Sequence, residues 1–345
     1  MKQENHLRKV KSSQKTKTPI IPLVTFGIPA YKNGCLEEVI KSILNQTYAN
    51  IELIIVNDAS PENLRETVSK FHDPRLRYYE NKENLGIHGP VKNWNKVLTY
   101  AQGEFFILAS DDDVYMPTFA SDLLTCFYQN PKIDIAHCRL KTINAEGKKE
   151  YSPSCPEWES GIDFVWHGFH SNRLLSVSEF LCRTNALRNI GGFIDFPLAW
   201  SSDYATWFSL ATTGGVGYSG HILLEKRNLG NNMTSNYPLA LALQSCFEFK
   251  KWFQSFAQQL NCQNELDQLL LGDIFTDAET YYANMHYSAF STYWMNRLTV
   301  FSPMIMFVQW VRLRQQYNIS VSTMIRSEVH VCSNLLRSFV AIFKR

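Results

Sequence analysis

The chain has 345 residues, of which 45% are hydrophobic, and a formal net charge of +2. This length and composition allow a substantial core and either one large domain with an appendage or two modest domains, which excludes a largely disordered protein. A protein that binds nucleic acid in bulk usually carries a large basic excess, so the nearly balanced charge argues against a nucleic-acid partner.

The first 20 residues differ from the rest. They hold a single acid, Glu4, and six cations: Lys2, Arg8, Lys9, Lys11, Lys15 and Lys17. Because the segment has few apolar residues that could pack, we expect residues 1–20 to form a flexible, solvated basic tail. Weak attraction to anionic membrane lipids is the alternative.

The eight cysteines are scattered and lack the paired short spacing of zinc or thiol redox sites. They are expected to be reduced, mostly buried thiols. The N-terminus lacks the apolar core of a secretory signal, and no run approaches the roughly 18–20 apolar residues that span a bilayer. These features predict a cytoplasmic protein.

Strand and helix patterns alternate from residue 23 to residue 109. Short apolar runs predict strands, and apolar residues that recur at i, i+3 and i+4 predict helices between them. The predicted elements, in order, are a strand at 23–26, a helix through 36–44, a strand at 51–56, a helix through 64–71, a strand at 76–79, a helix through 94–101 and a strand at 104–109. This alternation is typical of a parallel α/β sheet.

The rest of the chain divides into two parts. The pattern is looser beyond about residue 135, with an ordered piece from 177 to 211, whereas residues after Pro238 read as helices at 239–260 and 266–286 with an apolar tail. We therefore predict an α/β domain at 21–235, with a first half at 21–115 and a second half at 116–235, followed by a helical C-terminal region at 236–345.

Polar residues follow the predicted strands. Pro29-Ala30-Tyr31 follows the first strand, Asp58 the second and Asp111-Asp112-Asp113 the fourth. Ligands of parallel sheets bind beyond the carboxyl ends of the strands, so these residues are candidates for one site. Three adjacent carboxylates repel one another, and a divalent cation such as Mg²⁺ or Mn²⁺ is the simplest remedy. Asp58 has an alternative interpretation as an ordinary turn residue.

Five motifs together resemble the family 2 glycosyltransferases of GT-A fold. They are Pro29-Ala30-Tyr31, Asn57-Asp58-Ala59-Ser60, Asn84-Leu85-Gly86, Gly103-Glu104-Phe105 and the stretch from Ala109 to Pro117. The last of these is similar to the spore-coat polysaccharide type, and the set as a whole to bacterial capsule, exopolysaccharide and lipopolysaccharide sugar transferases. The resemblance covers about residues 21–235 and implies a mixed α/β sheet of GT-A type with a helical appendage.

The resemblance implies a role for each matching position on the donor side. Pro29, Ala30, Tyr31 and Asp58 would hold the nucleoside, Asp111 the ribose or diphosphate, and Asp112 a Mn²⁺ or Mg²⁺ ion, with Asp113 as a second metal ligand. Many relatives have an Arg-Asn pair after the third strand, where this chain has Asn93-Trp94-Asn95. Asn93 is therefore a candidate donor contact, and Lys92 or His88 would replace the missing base.

A second segment resembles the acceptor side of the same family. After the stretch from Leu187 to Phe193, Asp203 occupies the position that usually serves as catalytic base, and Ser202 stands where relatives often have Glu. The resemblance implies inverting transfer from a nucleotide-sugar, with a UDP-sugar favoured, to a glycan or lipid-linked acceptor in bacterial surface polysaccharide synthesis. An alternative for Asp203 is a helix N-cap.

Other functions stay open at this stage. The processive synthases of the family carry a Gln-x-x-Arg-Trp motif that this chain lacks, so transfer of one sugar per encounter is expected. A sugar nucleotidyltransferase usually opens with a Gly-rich loop followed by Arg, whereas the segment after Phe26 has only Gly27 and Gly34. A non-catalytic protein that binds sugar nucleotides or glycans is the third possibility.

The helical C-terminal region also has more than one interpretation. Residues 301–311 and 335–343 are apolar and have Arg312, Arg314, Lys344 and Arg345 near their ends. Such segments can lie on the inner face of a membrane as a peripheral contact. They can instead pack against the catalytic domain or join copies of the chain into an oligomer.

Overall fold

A computed structural model describes residues 21–86, 89–144, 148–173, 175–228, 237–295, 297 and 302–343. The basic tail predicted for residues 1–20 lies outside these ranges, as does His88.

The first half of the chain builds the parallel part of a mixed sheet. Strands β1 (Val24–Ala30), β2 (Ile51–Asn57), β3 (Leu76–Glu80) and β4 (Phe105–Leu108) lie side by side in the order β3-β2-β1-β4, all parallel. All seven residues of β2 are buried, as expected for a nearly continuous apolar run covered on both faces. The predicted alternation of strands and helices is confirmed.

The connecting helices are α1 (Leu36–Leu44), α2 (Leu64–Ser69) and α3 (Pro90–Tyr100). The apolar residues that recur with helical spacing on α1 form its buried face: Leu36, Val39, Ile40 and Ile43 are buried, and Leu44 packs half-buried against the same core. Helix α3 begins directly at Pro90, where the fixed φ of proline suits the first turn and its missing N–H would have had no partner.

The second half of the α/β region adds strands to the same sheet. It contains β5 (Val114–Tyr115), α4 (Phe119–Gln129), β6 (Ile135–Asn144), β7 (Lys149–Tyr151), β8 (Trp158–Glu159), α5 (Gly161–Phe169), β9 (Phe180–Arg183), α6 (Thr184–Asn189), α7 (Ser202–Ala211) and β10 (Val216–Asn228). The sheet continues from β4 in the order β9-β6-β10-β5, with β7 on β6 and β8 on β10. Because β9 runs antiparallel to both β4 and β6, the sheet is mixed.

The C-terminal region is helical, as predicted. It contains α8 (Leu239–Ala257), α9 (Glu265–Met295), α10 (Ser302–Tyr317) and α11 (Val321–Phe343). These helices share a small apolar core that also includes Leu198 and Trp200 from the α/β region. The C-terminal helices therefore pack against the α/β region. Among the described residues, no helix has the length and apolar character needed to cross a membrane.

Candidate functional site

One cavity of about 590 Å³ lies beyond the carboxyl ends of β1, β2 and β4 and brings most of the predicted site residues together. Of the nine predicted positions, eight line it: Pro29, Tyr31, Asp58, Asn93, Asp111, Asp112, Asp113 and Asp203. Ala30 does not, because its side chain is fully buried in the core below β1. The Ala30 side chain therefore does not face the cavity, and its carbonyl accepts the Asp58 N–H at 2.9 Å.

Asp111 joins the loop after β4 to the loop after β1. Its Oδ2 atom accepts the backbone N–H groups of Tyr31, at 2.8 Å, and Lys32, at 2.7 Å. Burial raises the pKa of the Asp111 carboxyl, and the two N–H groups oppose that rise. One oxygen of Asp111 is thus committed to holding the two loops together.

Asp112 is the carboxylate of the three that is most available to bind a cation, because Asp111 and Asp113 accept backbone N–H groups of other elements. Its Oδ1 accepts the Ser110 hydroxyl, and its Oδ2 lies 3.6 Å from the Lys32 ammonium. Among the described residues, the Asp112 carboxylate accepts no backbone N–H from another element. It has oxygen atoms left to bind a divalent ion.

Asp113 links the triple-aspartate loop to strand β10. Its buried carboxylate accepts the Arg227 N–H of β10 at 3.1 Å. Burial, and then the negative charge of Asp112, raise its pKa to about 6, which the Arg227 N–H opposes. Asp113 therefore positions β10 against the triple-aspartate loop as well as facing the cavity.

Asp58 is held by a network of side-chain amides. Its Oδ1 accepts Nδ2 of Asn81 at 2.7 Å, its Oδ2 accepts Nδ2 of Asn84 at 3.3 Å, and both oxygens lie near the Leu85 N–H. A carboxylate has about four acceptor positions, so these three donors leave about one for a ligand. The side chain is therefore oriented before any ligand arrives.

Asn93 belongs to the same network. Its Oδ1 accepts Nδ2 of Asn81 at 3.2 Å, and its own Nδ2 donates to the Val56 carbonyl at 3.4 Å. Lys92, the proposed basic replacement, is exposed and is not among the residues that line the cavity. It does not supply the missing base.

The basic side chains of the cavity are Lys32, Lys226 and Arg227, none of which was predicted. Arg227 pairs with Glu38 at 2.7 Å. Within the described ranges, the Lys226 ammonium has no acceptor at hydrogen-bond distance, yet its charge lowers the pKa of both Asp113 and Asp203. The adjacent basic pair at the end of β10 was the available signal, but the sequence did not reveal that β10 returns to the site.

Asp203 lies in the first turn of α7, and its pKa is raised mainly by burial. Its Oδ1 accepts the N–H of the next residue, Tyr204, at 2.9 Å. The helix begins at Ser202 with Ser201 as N-cap, so the alternative that Asp203 is the N-cap is wrong. Asp203 instead lines the cavity, and it belongs to a different element from the triple-aspartate loop.

The backbone before Asp203 is strained. Leu198, Ala199 and Ser201 all have φ between 56° and 61°, a left-handed conformation that costs non-glycine residues free energy. The buried Ser202 hydroxyl accepts the Phe196 N–H at 3.0 Å and so holds this loop. Ser202 thus has a structural partner at the position where relatives often carry Glu.

A buried pair of titratable residues lies beneath the cavity. Glu179 and His137 are buried, with His137 Nδ1 3.8 Å from Glu179 Oε1, and their side chains have no hydrogen-bond partners. Burial raises the pKa of Glu179 well above its usual range and lowers that of His137 to about 3. His137 is therefore neutral near pH 7, and burial favours the neutral form of Glu179 as well.

A second cluster of possible metal ligands lies outside the cavity. Glu159, Asp163 and His167 bring one ligand atom each within 4.8 Å of one another. Both carboxylate oxygens of Glu159, however, accept the guanidinium of Arg173. The buried ion pair accounts for this cluster without a metal.

The sheet is mixed, and a cavity lined by carboxylates lies beyond the carboxyl ends of its parallel strands. This arrangement is that of a glycosyltransferase of GT-A fold. The family description "Glycosyl transferase family 2" matches residues 25–192. This match over nearly half of the chain supports the resemblance that the motifs predicted, and the chain is an enzyme of the glycosyltransferase class.

Two curated relatives illustrate the match. An uncharacterised glycosyltransferase of Rickettsia typhi is 29% identical over 248 residues, which cover 70% of this chain and 74% of the relative. The Escherichia coli protein WfgD, named as a UDP-Glc:alpha-D-GlcNAc-diphosphoundecaprenol beta-1,3-glucosyltransferase, is 26% identical over 198 residues, covering 56% of this chain and 72% of WfgD.

Solved structures share the fold at low identity. S. aureus TarS 1-349 in complex with UDP-GlcNAc has a TM-score of 0.58 at 15% identity, with 92% of each chain covered. The mannosyltransferase PcManGT of Pyrobaculum calidifontis, in complex with GDP-Man and Mn²⁺, has a TM-score of 0.53 at 14% identity, with 91% of this chain and 87% of that chain covered. At such identities the likeness concerns the fold alone.

Proposed function

We propose that the chain transfers single hexosyl or N-acetylhexosaminyl units from a UDP-sugar to a glycan or lipid-linked acceptor, with inversion at the anomeric carbon. The observation that carries this proposal is that Asp112 and Asp203, which belong to different elements, line one cavity of about 590 Å³. That volume is typical of sites for ligands the size of a nucleotide-sugar.

The nucleoside would bind at the ends of β1 and β2. Tyr31 lines the cavity with an exposed ring that can stack on a base, and Pro29 forms the wall beside it. The remaining acceptor position of Asp58 suits the N–H of a uracil ring. Because Asn81 and Asn84 already orient Asp58, little side-chain entropy would be lost on binding.

The residues present fit a divalent cation. The Asp112 carboxylate is engaged only by the Ser110 hydroxyl and the Lys32 ammonium, which leaves acceptor positions for a cation, and its negative charge contributes to the raised pKa values of Asp111 and Asp113. A Mn²⁺ or Mg²⁺ ion held by Asp112, with Asp113 as a second ligand, would neutralise charge on the donor's diphosphate. Lys32 and Lys226 would contribute positive charge to the same diphosphate.

Asp203 would act as general base. As the acceptor hydroxyl oxygen attacks the anomeric carbon, the bond from that carbon to the diphosphate oxygen breaks and Asp203 takes the hydroxyl proton. Burial raises the pKa of Asp203, which makes its carboxylate a better proton acceptor than that of an ordinary aspartate. Attack from the face opposite the leaving group gives inversion.

The relatives support the substrate class. WfgD is named for UDP-Glc and a diphosphoundecaprenol-linked acceptor, and TarS binds UDP-GlcNAc, whereas PcManGT binds GDP-Man. We favour UDP over GDP on this basis and propose a lipid-linked glycan as acceptor, in the cytoplasm during synthesis of a bacterial surface polysaccharide.

The test is calorimetric titration of UDP, GDP, dTDP and CDP with and without Mn²⁺. We expect Mn²⁺-dependent binding of UDP by the wild type, lost in Asp112→Ala and kept in the control Asp122→Ala, whose carboxylate pairs with His221 outside the cavity. UDP binding by Asp112→Ala that does not depend on Mn²⁺ would contradict the metal assignment. Donor binding with no transfer to any acceptor would favour a non-catalytic sugar-nucleotide-binding protein, and pyrophosphate exchange would favour a nucleotidyltransferase.

A further inference from the structure

The outer surfaces of α10 and α11 expose an apolar face that no described part of the chain covers. On α10 it consists of Met304, Ile305, Phe307, Val308 and Val311, and on α11 of Val321, Ile325, Val329 and Leu336. We propose that this apolar face docks on an anionic lipid surface. The proposal rests on the proposed function only in that a lipid-linked acceptor would be met at that surface.

Helix α10 is apolar on both sides. Its inner side buries Met306, Trp310 and Tyr317 in the core shared by the C-terminal helices. On its outer side Phe307 and Val308 are 51% and 62% exposed. A helix that is apolar all round needs a second apolar environment in addition to its protein neighbour.

Helix α11 continues the pattern as a stripe. Val321, Ile325 and Val329 are spaced four residues apart and are 42%, 56% and 63% exposed, so they follow one another along about 12 Å of the helix. Three consecutive turns therefore present a β-branched apolar residue to the outside. Scattered surface residues would not show this spacing.

The two helices that carry the apolar face have a positive net charge. Residues 302–343 hold four Arg residues (312, 314, 326 and 337) and one acid, Glu328, so their net charge is 4 − 1 = +3. The neighbouring helix α9 carries five acids and no Lys or Arg. Arg312, at the end of the exposed stretch of α10, and Arg337, next to Leu336 on α11, are both exposed. Apolar residues flanked by cations are the composition of helices that lie in the interface of an anionic bilayer.

A second copy of the chain is the competing occupant. A two-fold symmetric contact would place this face against itself and bring two groups of net charge +3 together, which opposes association. An anionic lipid surface instead complements the charge. Since the described helices are not suited to crossing a membrane, the contact would lie on the surface.

The apolar face is also coupled to the acceptor side of the cavity. The core beneath α10 includes Leu198, and the Ser245 hydroxyl of α8 donates to the Trp200 carbonyl at 2.8 Å. Trp200 lies three residues before Asp203. The C-terminal helices therefore brace the loop that precedes the proposed base.

The experiment is co-sedimentation of the full chain with vesicles of phosphatidylcholine, alone or mixed with phosphatidylglycerol. We expect binding to the mixed vesicles only, weakened by added salt, and reduced about tenfold or more by Phe307→Ser/Val308→Ser and by Arg312→Gln/Arg337→Gln. The matched control is Leu269→Ser/Phe275→Ser, which removes two exposed apolar residues from the acidic helix α9 and should leave binding unchanged.

Three results would overturn the proposal. They are the absence of binding to mixed vesicles, equal loss in the α9 control, and a dimer in light scattering that Phe307→Ser/Val308→Ser separates, which would assign the face to a second copy. Since all substituted residues are exposed, thermal unfolding should be unchanged and will verify folding. UDP titration of the same variants keeps the two proposals separate, because it tests the donor site without lipid.

Discussion

Replacement of Asp203 by Asn removes the proposed proton acceptor and little else. Asn keeps the shape of the side chain and the Oδ1 atom that accepts the Tyr204 N–H at 2.9 Å. A general base typically contributes about 10²–10⁴-fold in rate, which corresponds to about 2.7–5.5 kcal/mol of activation free energy. We expect kcat for sugar transfer to fall by that factor.

Donor binding and stability should respond differently from the rate. The substitution removes one negative charge from a cavity that already holds three aspartates in a row, so the affinity for UDP should be equal or slightly higher. Burial raises the pKa of Asp203, so its carboxylate lowers stability as pH rises through that folded-state pKa. Asp203→Asn should therefore be at least as stable as the wild type near pH 7.

The assay is release of nucleoside diphosphate in a single turnover, with UDP affinity measured by calorimetry on the same samples. Asp195→Asn is the matched control, because it makes the same chemical change at an exposed position in the preceding loop, away from the cavity. In the wild type, the acid limb of kcat/KM should lie above the ordinary aspartate pKa of about 3.9. A rate for Asp203→Asn within about threefold of the wild type, or an equal loss in the control, would refute the assignment.

Three further predictions concern Lys226, Arg173 and Glu179. Lys226→Met should weaken UDP binding by about tenfold while leaving uridine affinity unchanged, as calorimetry can measure. It should also move the acid limb of kcat/KM to higher pH, because the Lys226 charge lowers the pKa of Asp203; equal losses for UDP and uridine would contradict this. Arg173→Met should lower the free energy of unfolding by about 3–5 kcal/mol in urea titrations, since Glu159 is left buried and unpaired, and Glu159→Gln/Arg173→Met should recover most of it. Glu179→Gln should leave the free energy of unfolding unchanged below about pH 4, where Glu is protonated even in the unfolded chain, and should raise it near pH 8. The reason is that the raised folded-state pKa of Glu179 makes the wild type lose stability as pH rises. The same dependence of stability on pH in the wild type and the variant would contradict this prediction.

The sequence alone predicted the family resemblance and the residues that meet beyond the parallel strands. In a βαβ unit the residues after each parallel strand must meet at one edge of the sheet, so Asp58 and Asp111 could be placed together from strand order alone. Periodicity likewise predicted the buried face of α1 and the helical C-terminal region. These features depend on neighbours that are close in sequence, which a local pattern can report.

Local patterns failed where side-chain direction decided the outcome. Ala30 belongs to the right motif, but along a strand successive side chains point to opposite faces, and its own points into the core. The N-cap alternative for Asp203 failed because α7 begins at Ser202, after a strained loop. A one-residue shift at an element boundary changes a side chain's partner, and boundaries are the least certain part of a pattern.

Long-range pairing was decided only by the tertiary structure. Strand β10 pairs with β6 and β5 across more than 70 residues, and this pairing brings Lys226 to a cavity whose carboxylates begin at Asp58. Nothing local to residues 216–228 indicates which strand they will join, because strand pairing is set by packing of the whole sheet. The sequence thus predicted the resemblance to family 2 glycosyltransferases and the edge of the sheet where the carboxylates lie, whereas the fold decided which cations face them.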